Sequence, residues 1–400
     1  MDFSLTNEHK LIQESARRFA ESEVLPGLKE RDRQSKPDPA LLKKMGKAGL
    51  LGVCIPAKYG GQDADYISLG LVCEELERAD STARVIMSVH VGLNSLALLQ
   101  WGTEEQKQRF LVPQAKGEKF AGFGLTEPNA GSDVIGIRST AIRDGDSYVL
   151  NGEKTWISLA DLADNFLVVA YTDREKKARG MTAFIVERGM PGFTTQPIHG
   201  KLGVRAGDTG TLIMEDVRVP AGNRIGEEGE GFKVAMSALD NGRYTVASGA
   251  VGIIVACLDA CVPYCRDRKT SGQEIGKHQL IQQMVARMAA SRDIGRLLYY
   301  RCGWMKNQGM RCTREVSMAK WINCDSAFAA ANDAVQIHGA YGYSDEFPVE
   351  RYLRNSRGAV IYEGTREIHT LMQAEYELGY RHDRPLRCEL PGWPFATGEQ

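Results

Sequence analysis

The feature that most constrains this chain is a change of hydrophobic period, with a region of period two set between two regions of helical period. Through residues 1–118 apolar positions recur at helical spacing. Leu11, Ala16, Phe19 and Ala20 lie near one face, and Leu41, Leu42, Met45, Leu50 and Leu51 form another set. Pro26, Pro37, Pro56 and the pair Gly60-Gly61 divide these runs. Residues 66–101 read as two long helices, with Asp80, Ser81 and Thr82 as the capping turn between them. Through 119–228 short alternating runs predict strands over 147–154, 165–171, 182–187 and 210–219. Helical period returns over 229–380, where 280–290 and 316–335 are Ala-rich and free of Pro. The pattern predicts an α+β fold: an N-terminal helical domain (1–118), a central β-barrel or sandwich domain (119–228) and a C-terminal four-helix-bundle domain (229–380). A tail (381–400) with Pro385, Pro391 and Pro394 is expected to lie over the surface or a neighbouring subunit.

Composition removes two function classes. Hydrophobic residues make up 43% and charged residues 25% of the 400, the balance of a globular chain with a large core. Lys and Arg number 50 against 51 Asp and Glu, a formal net charge of -1, with no long basic run. Neither nucleic-acid binding nor a polybasic membrane-surface helix is expected. The first residues carry Asp2, Glu8 and Glu14 and no apolar run, so no signal peptide is read there. The charge-free stretch 244–258 falls short of the ~20 residues of a membrane span, and a cytoplasmic location is expected. Of nine scattered cysteines, Cys257, Cys261 and Cys265 fall at i, i+4, i+8 and read as small buried thiols, with no metal or disulfide expected.

Three segments carry chemistry. In 122–133, GFGLTEPNAGSD, Gly124 and Gly131 let the backbone approach a ligand, and Thr126 and Ser132 can serve carbonyl or phosphate oxygens. A plain Pro-containing turn is the alternative. In 151–158, NGEKTWIS, Asn151-Gly152 marks a hairpin turn. Trp156 then either covers an aromatic cofactor, with Ser158 offering a hydroxyl, or belongs to the β core. In 359–372, AVIYEGTREIHTLM, Glu363 stands beside Tyr362 and before Gly364, and Thr365 caps the next helix. A carboxylate in apolar surroundings has its pKa raised and becomes a general base near neutral pH. The alternative is a solvated acid at a helix start.

Together TEPNAGSD, NGEKTWIS, QIHGAYGY and IYEGT, in that order, resemble the acyl-CoA dehydrogenase family over residues 3–379. The resemblance implies an enzyme that binds FAD and forms homotetramers with flavin sites shared between subunits. By it, Phe123, Leu125, Thr126, Trp156 and Ser158 line the isoalloxazine and ribityl portion, with Gly131 and Ser132 also among the cofactor contacts. Arg268 and Gln279 match positions that reach the neighbouring subunit's FAD, Gln336 and Gly339 another contact to it, and Thr365 and Glu367 its adenosine half. Ser132, Asp240 and Arg243 match positions that hold CoA, and Tyr362 and Gly364 lie on the substrate side. Two departures stand out: Ser271 replaces a common aromatic residue, and Glu367 a frequent Gln. The implied mechanism has Glu363 take the α-proton while the β-hydride leaves for flavin N5. The Glu363 N–H and the ribityl 2′-hydroxyl hold the thioester oxygen, and the product is a trans-2-enoyl-CoA. Electron-transferring flavoprotein is the implied acceptor.

The acyl group has one clue. In 77–89, ERADSTARVIMSV, Arg84 falls near the start of a helix lining the expected acyl pocket. An Arg facing an apolar channel is expensive unless a carboxylate pairs with it. The segment looks like that of glutaryl-CoA dehydrogenases, where the matching Arg holds the distal carboxylate and Glu77 and Ser88 also match. Glutaryl-CoA or an aryl-substituted succinyl-CoA would then be the substrate. Arg84 pairing internally with Glu77 or Asp80, or capping solvent, leaves a short-chain, medium-chain or branched monocarboxyl acyl-CoA. An acyl-CoA oxidase, a reductase and a non-catalytic flavoprotein module are the competing functions.

Overall fold

A computed structural model describes residues 4–393, in the order helical layer, β domain, helical bundle. Thr6 accepts from His9 N at 3.1 Å and the His9 ring accepts from Thr6 N, a reciprocal box that opens α1 (Asn7–Phe19). Asp65 opens α2 (Tyr66–Ala79) by accepting from Ser68 N at 2.8 Å. Asp80 ends α2 and opens α3 (Ser81–Trp101), accepting from Thr82 N at 2.8 Å. The expected capping turn is present. Ala16, Ala20, Leu41, Leu42, Met45, Leu50 and Leu51 are buried, but Leu11 is 63% exposed. Five residues before Ala16, it points roughly 140° around the helix from that buried face.

Eight strands form one mixed sheet: β1 (Ala121–Gly124), β2 (Thr140–Asp144), β3 (Ser147–Ser158), β4 (Asn165–Tyr171), β5 (Met181–Glu187), β6 (Phe193–Pro197), β7 (Thr209–Pro220) and β8 (Arg224–Ile225). Their order is β6-β7-β3-β2-β4-β5-β8, with β1 parallel on β4. β2 and β4 share only the Thr140–Tyr171 pairing, so the sheet divides there into two leaves. β4 is buried along all seven residues, which its unbroken apolar run requires.

Asn151-Gly152 is not the expected hairpin turn. The chain has already turned at Gly145 between β2 and β3, and β3 runs on to Ser158. Its register on β7 slips where Leu150 pairs Val217 but Gly152 pairs Met214. It slips back where Lys154 pairs Leu212 but Ile157 pairs Gly210. Strict alternation from the buried Tyr148, Leu150 and Lys154 would bury Trp156; the second bulge puts Ile157 inside instead. Trp156 takes φ 61° and is left 61% exposed.

The bundle consists of α4 (Gly231–Asp267), α5 (Gln279–Asn307), α6 (Thr313–His338) and a split fourth member, α7 (Val349–Ala359) with α8 (Arg366–Glu377). α3 and α4 are long and apolar enough to cross a membrane, but 89% and 78% of their apolar windows are buried in the protein. Cys257, Cys261 and Cys265 are buried side chains of α4, and burial pushes all three thiols up. The described part of the tail folds back onto the N-terminal layer. Gln100 donates to Cys388 O (2.6 Å), Tyr66 to Pro391 O (2.9 Å) and Trp393 to Asp63 O (2.7 Å). Pro394 lies outside the described residues.

Candidate active site

The sheet, α3, α4 and the α7–α8 break enclose a cavity of about 1450 Å³. Glu363 stands in that break with φ 55°, followed by Gly364 at φ 100°. This left-handed pair ends α7 and turns the chain before Thr365 caps α8, accepting from Ile368 N at 3.4 Å. Lys320 of α6 donates to Gly364 O (2.6 Å) and Arg243 of α4 to Glu363 O (3.2 Å), so two cations clamp the turn through its carbonyls. The carboxylate lies against α4 at Gly242, in space that a β-carbon there would occupy. Its Oε2 is buried with no hydrogen-bond partner among the described residues. Burial pushes Glu363 up to about 7, against the opposing pull of Arg84, Lys320 and Arg243. A carboxylate so held is free to accept a proton from whatever fills the cavity. His369 beneath it stays neutral, driven down to about 3 by burial and by Lys320 and Arg243.

Two turns along α4, Gly249 makes a second recess. A β-carbon there would meet Glu77 Oε2 at 2.7 Å and the Arg84 stem at 2.8 Å. Arg84, 1% exposed, lines the cavity and pairs through Nε with Glu77. Its other donors reach Ser88 Oγ (2.9 Å) and the Tyr362 hydroxyl, and its plane lies over the Tyr362 ring at 5.2 Å. Burial opposes the charge, but Glu77 and Tyr362 outweigh it and the guanidinium is held well above its ordinary pKa. Asp80 is not its partner, being taken by Thr82, Asn355 and Arg351. Ser88 is buried behind Arg84, donating to or accepting from Thr245 Oγ1 at 2.6 Å, and does not line the cavity.

A second wall comes from the β domain. Phe123, Leu125, Thr126, Gly131, Ser132, Trp156 and Ser158 all line the cavity. The hydroxyls of Thr126, Ser132 and Ser158 make no side-chain hydrogen bond among the described residues. Gly131 faces open space, whereas a β-carbon on Gly124 would meet Leu212 and Val168 at 3.2 Å, so Gly124 serves core packing. Behind the wall, Lys154 donates to Leu125 O (3.2 Å) and to Glu127 Oε1 (2.7 Å), fully buried. Burial pulls Lys154 down to about 8, with Glu127 opposing. Asp240 and Arg243 pair at 3.1 Å on the cavity's rim, and Thr313 donates to Asp240 at 2.6 Å.

Arg268, Gln279, Gln336, Gly339 and Glu367 lie outside the cavity and are exposed. Arg268 stacks over Tyr341 at 5.9 Å, close to the Gly339 turn, with Leu280 and Tyr343 exposed on the same end of the bundle. Ser271 holds φ 49° and Gly272 φ 81° in a two-residue hairpin between Lys269–Thr270 and Gln273–Glu274. Three participants carried no sequence signal: Gly242 and Gly249, which sit in an uninterrupted helix, and Lys320, which acts through a carbonyl.

Residues 6–118, 122–217 and 229–377 match, in turn, the N-terminal, middle and C-terminal domains of acyl-CoA dehydrogenase. The short-chain specific acyl-CoA dehydrogenase of Clostridium acetobutylicum is 40% identical over 93% of this chain and 98% of its own length. The glutaryl-CoA dehydrogenase of Desulfococcus multivorans is 37% identical over 95% of this chain and 99% of its own. Among solved structures, a chain from work on the electron transferring flavoprotein of Acidaminococcus fermentans superposes with a TM-score of 0.93 at 42% identity, covering 94% of this chain and all of that one. An acyl-CoA dehydrogenase of Bacillus anthracis complexed with FAD gives 0.88 at 35% identity, covering 94% of this chain and 68% of that one. The match spans the helical layer, the β domain and the bundle with Glu363 in its split fourth member, and the chain belongs to the acyl-CoA dehydrogenase family.

Proposed function

We propose that the chain is an FAD-dependent acyl-CoA dehydrogenase in which Glu363 removes the α-proton of the thioester to give a trans-2-enoyl-CoA. The observation that carries this is the buried, unpartnered Oε2 of Glu363, a residue that lines the cavity, with its pKa pushed up to about 7. The wall with Trp156 outward and free hydroxyls at Thr126, Ser132 and Ser158 fits FAD, as does flavin binding by a relative. Bound there, FAD supplies the acceptor for the β-hydride. The chain's own part is to orient the thioester, exclude water and hold the proton on Glu363. Asp240 and Arg243 hold the CoA arm at the rim. Residues 119–228 carry the flavin wall and 229–380 the base. The exposed set Arg268, Gln279, Gln336 and Gly339 meets the flavin of a neighbouring subunit in a cytoplasmic homotetramer. Electron-transferring flavoprotein takes the electrons.

The acyl group in this reading carries a distal carboxylate. Two of Arg84's donors end on hydroxyls, Ser88 and Tyr362; of the two, Tyr362 lines the cavity, and its hydroxyl can turn to donate to an arriving carboxylate while Glu77 keeps the guanidinium charged. The Glu77 pair also favours a second reading, because it already neutralises Arg84 and lets a short monocarboxyl chain lie beside it. Anaerobic titration with glutaryl-CoA and butyryl-CoA tests both. Bleaching of the flavin band by glutaryl-CoA, lost in Arg84→Ala by about 2–5 kcal/mol of binding, supports the clamp. Bleaching by butyryl-CoA alone establishes the second reading, and a protein that takes up no FAD overturns both.

A further inference from the structure

The family match ends at residue 377, yet the chain continues as a strap that lines the same cavity as Glu363. The strap is tied down along its length. Arg311 of the α5–α6 turn donates to Arg384 O, Arg387 engages Glu230 at 2.7 Å, and Gln100 holds Cys388 O at 2.6 Å. Leu386, Cys388 and Leu390 pack on the main core. The strap is thus part of the cavity's mouth and not a loose end.

The charges there are unevenly matched. Arg381 pairs with Glu375 at 3.2 Å, and Arg311 Nε lies 3.3 Å from Asp383, out of hydrogen-bond alignment. Lys233 and Arg387 share the single acid Glu230. Glu389 turns back to accept from Leu386 N at 2.9 Å. The guanidinium of Arg384, exposed and lining the cavity, meets no carboxylate among the described residues. An acyl-CoA whose α-carbon lies at Glu363 and whose arm passes the Asp240–Arg243 pair runs toward this exposed lining, and its nucleotide end carries a pyrophosphate and a 3′-phosphate. Guanidinium groups bind phosphate by charge-assisted, often bidentate hydrogen bonds.

We propose that the C-terminal strap is a phosphate-binding rim for the nucleotide of acyl-CoA, with Arg384 as its contacting cation and Lys233 beside it. The inference rests on the acyl-CoA reading of the cavity. Because Arg384 supports nothing in the fold through its side chain, its replacement leaves the strap's anchors intact.

The test compares the full-length holoenzyme with Arg384→Ala and Arg384→Lys. Two readouts are used: kinetics on butyryl-CoA, glutaryl-CoA and the same acyl groups on pantetheine, and calorimetric binding of adenosine 3′,5′-bisphosphate. Arg384→Ala is expected to raise KM for the acyl-CoA about three- to tenfold with kcat unchanged, and to weaken the bisphosphate equally. The pantetheine thioester should be unaffected, and Arg384→Lys should keep part of the binding. An unchanged KM, or equal losses on both thioesters, overturns the rim. If no thioester is turned over while the bisphosphate still binds through Arg384, the rim stands and the dehydrogenase reading falls.

Discussion

The carboxylate of Glu363 lies in the space that a side chain on Gly242 would need. The carboxylate is therefore seated by the absence of a methyl group on α4, whose one bond to Glu363 runs from Arg243 to the backbone carbonyl. Gly242→Ala should keep the α4 helix, since Ala is the better helix former. It should drive Glu363 off its position and cut turnover about 10²-fold. Circular dichroism together with kcat/KM checks this, and wild-type activity would mean that the carboxylate sits elsewhere.

Glu363→Gln should remove about 10²- to 10⁴-fold of the rate, the range of a general base. In the wild type the base acts ionised, so kcat/KM should rise with pH through about 7 and level above it. A flat profile between pH 6 and 8 contradicts the assignment.

The same carboxyl makes a statement about stability. Its folded pKa of about 7 exceeds the unfolded value near 4.3, so the folded state holds the proton more tightly. Stability from this group is complete below pH ~4.3 and is lost as pH rises through 7. Urea unfolding of wild type and Glu363→Gln should diverge in favour of the variant by roughly 3 kcal/mol between pH 5 and pH 8. Parallel curves would show that the group is not desolvated.

Behind the β-domain wall of the cavity, Lys154→Met strands Glu127 in the protein interior. The loss should be about 3–5 kcal/mol, because an unpaired buried charge is left. The double variant Lys154→Met/Glu127→Gln should recover part of it. A full thermodynamic cycle by urea unfolding measures the coupling.

The order of layers was legible because hydrophobic period follows directly from which face of each element is buried. Glu363 was legible as a motif, and so was Trp156, although its direction was not. Alternation from Tyr148 and Leu150 points the indole inward, and only pairing with β7 reveals the bulge that turns it out. Asn151-Gly152 misled for the same reason, since a turn signal and a bulge signal use the same residues. The sequence leaves Arg84 open to Glu77, Asp80, solvent or a substrate carboxylate, and its internal partner Glu77 is seven residues away on the neighbouring helix, a choice that only packing makes. The tail's surface course was legible from its prolines. Its place at the cavity mouth was not, because the bonds that put it there run to residues as distant as Gln100 and Glu230.

The two slips between β3 and β7 cancel: one strand carries its extra residue near Asp216, the other near Trp156. Only the few pairs between them are out of step. A deletion in either strand alone would leave the offset uncorrected and carry it to the strand's end, exchanging Ser158 for a core residue. The lengths of these two strands are therefore not independent quantities, and any viable insertion or deletion in one must be answered by another in its partner.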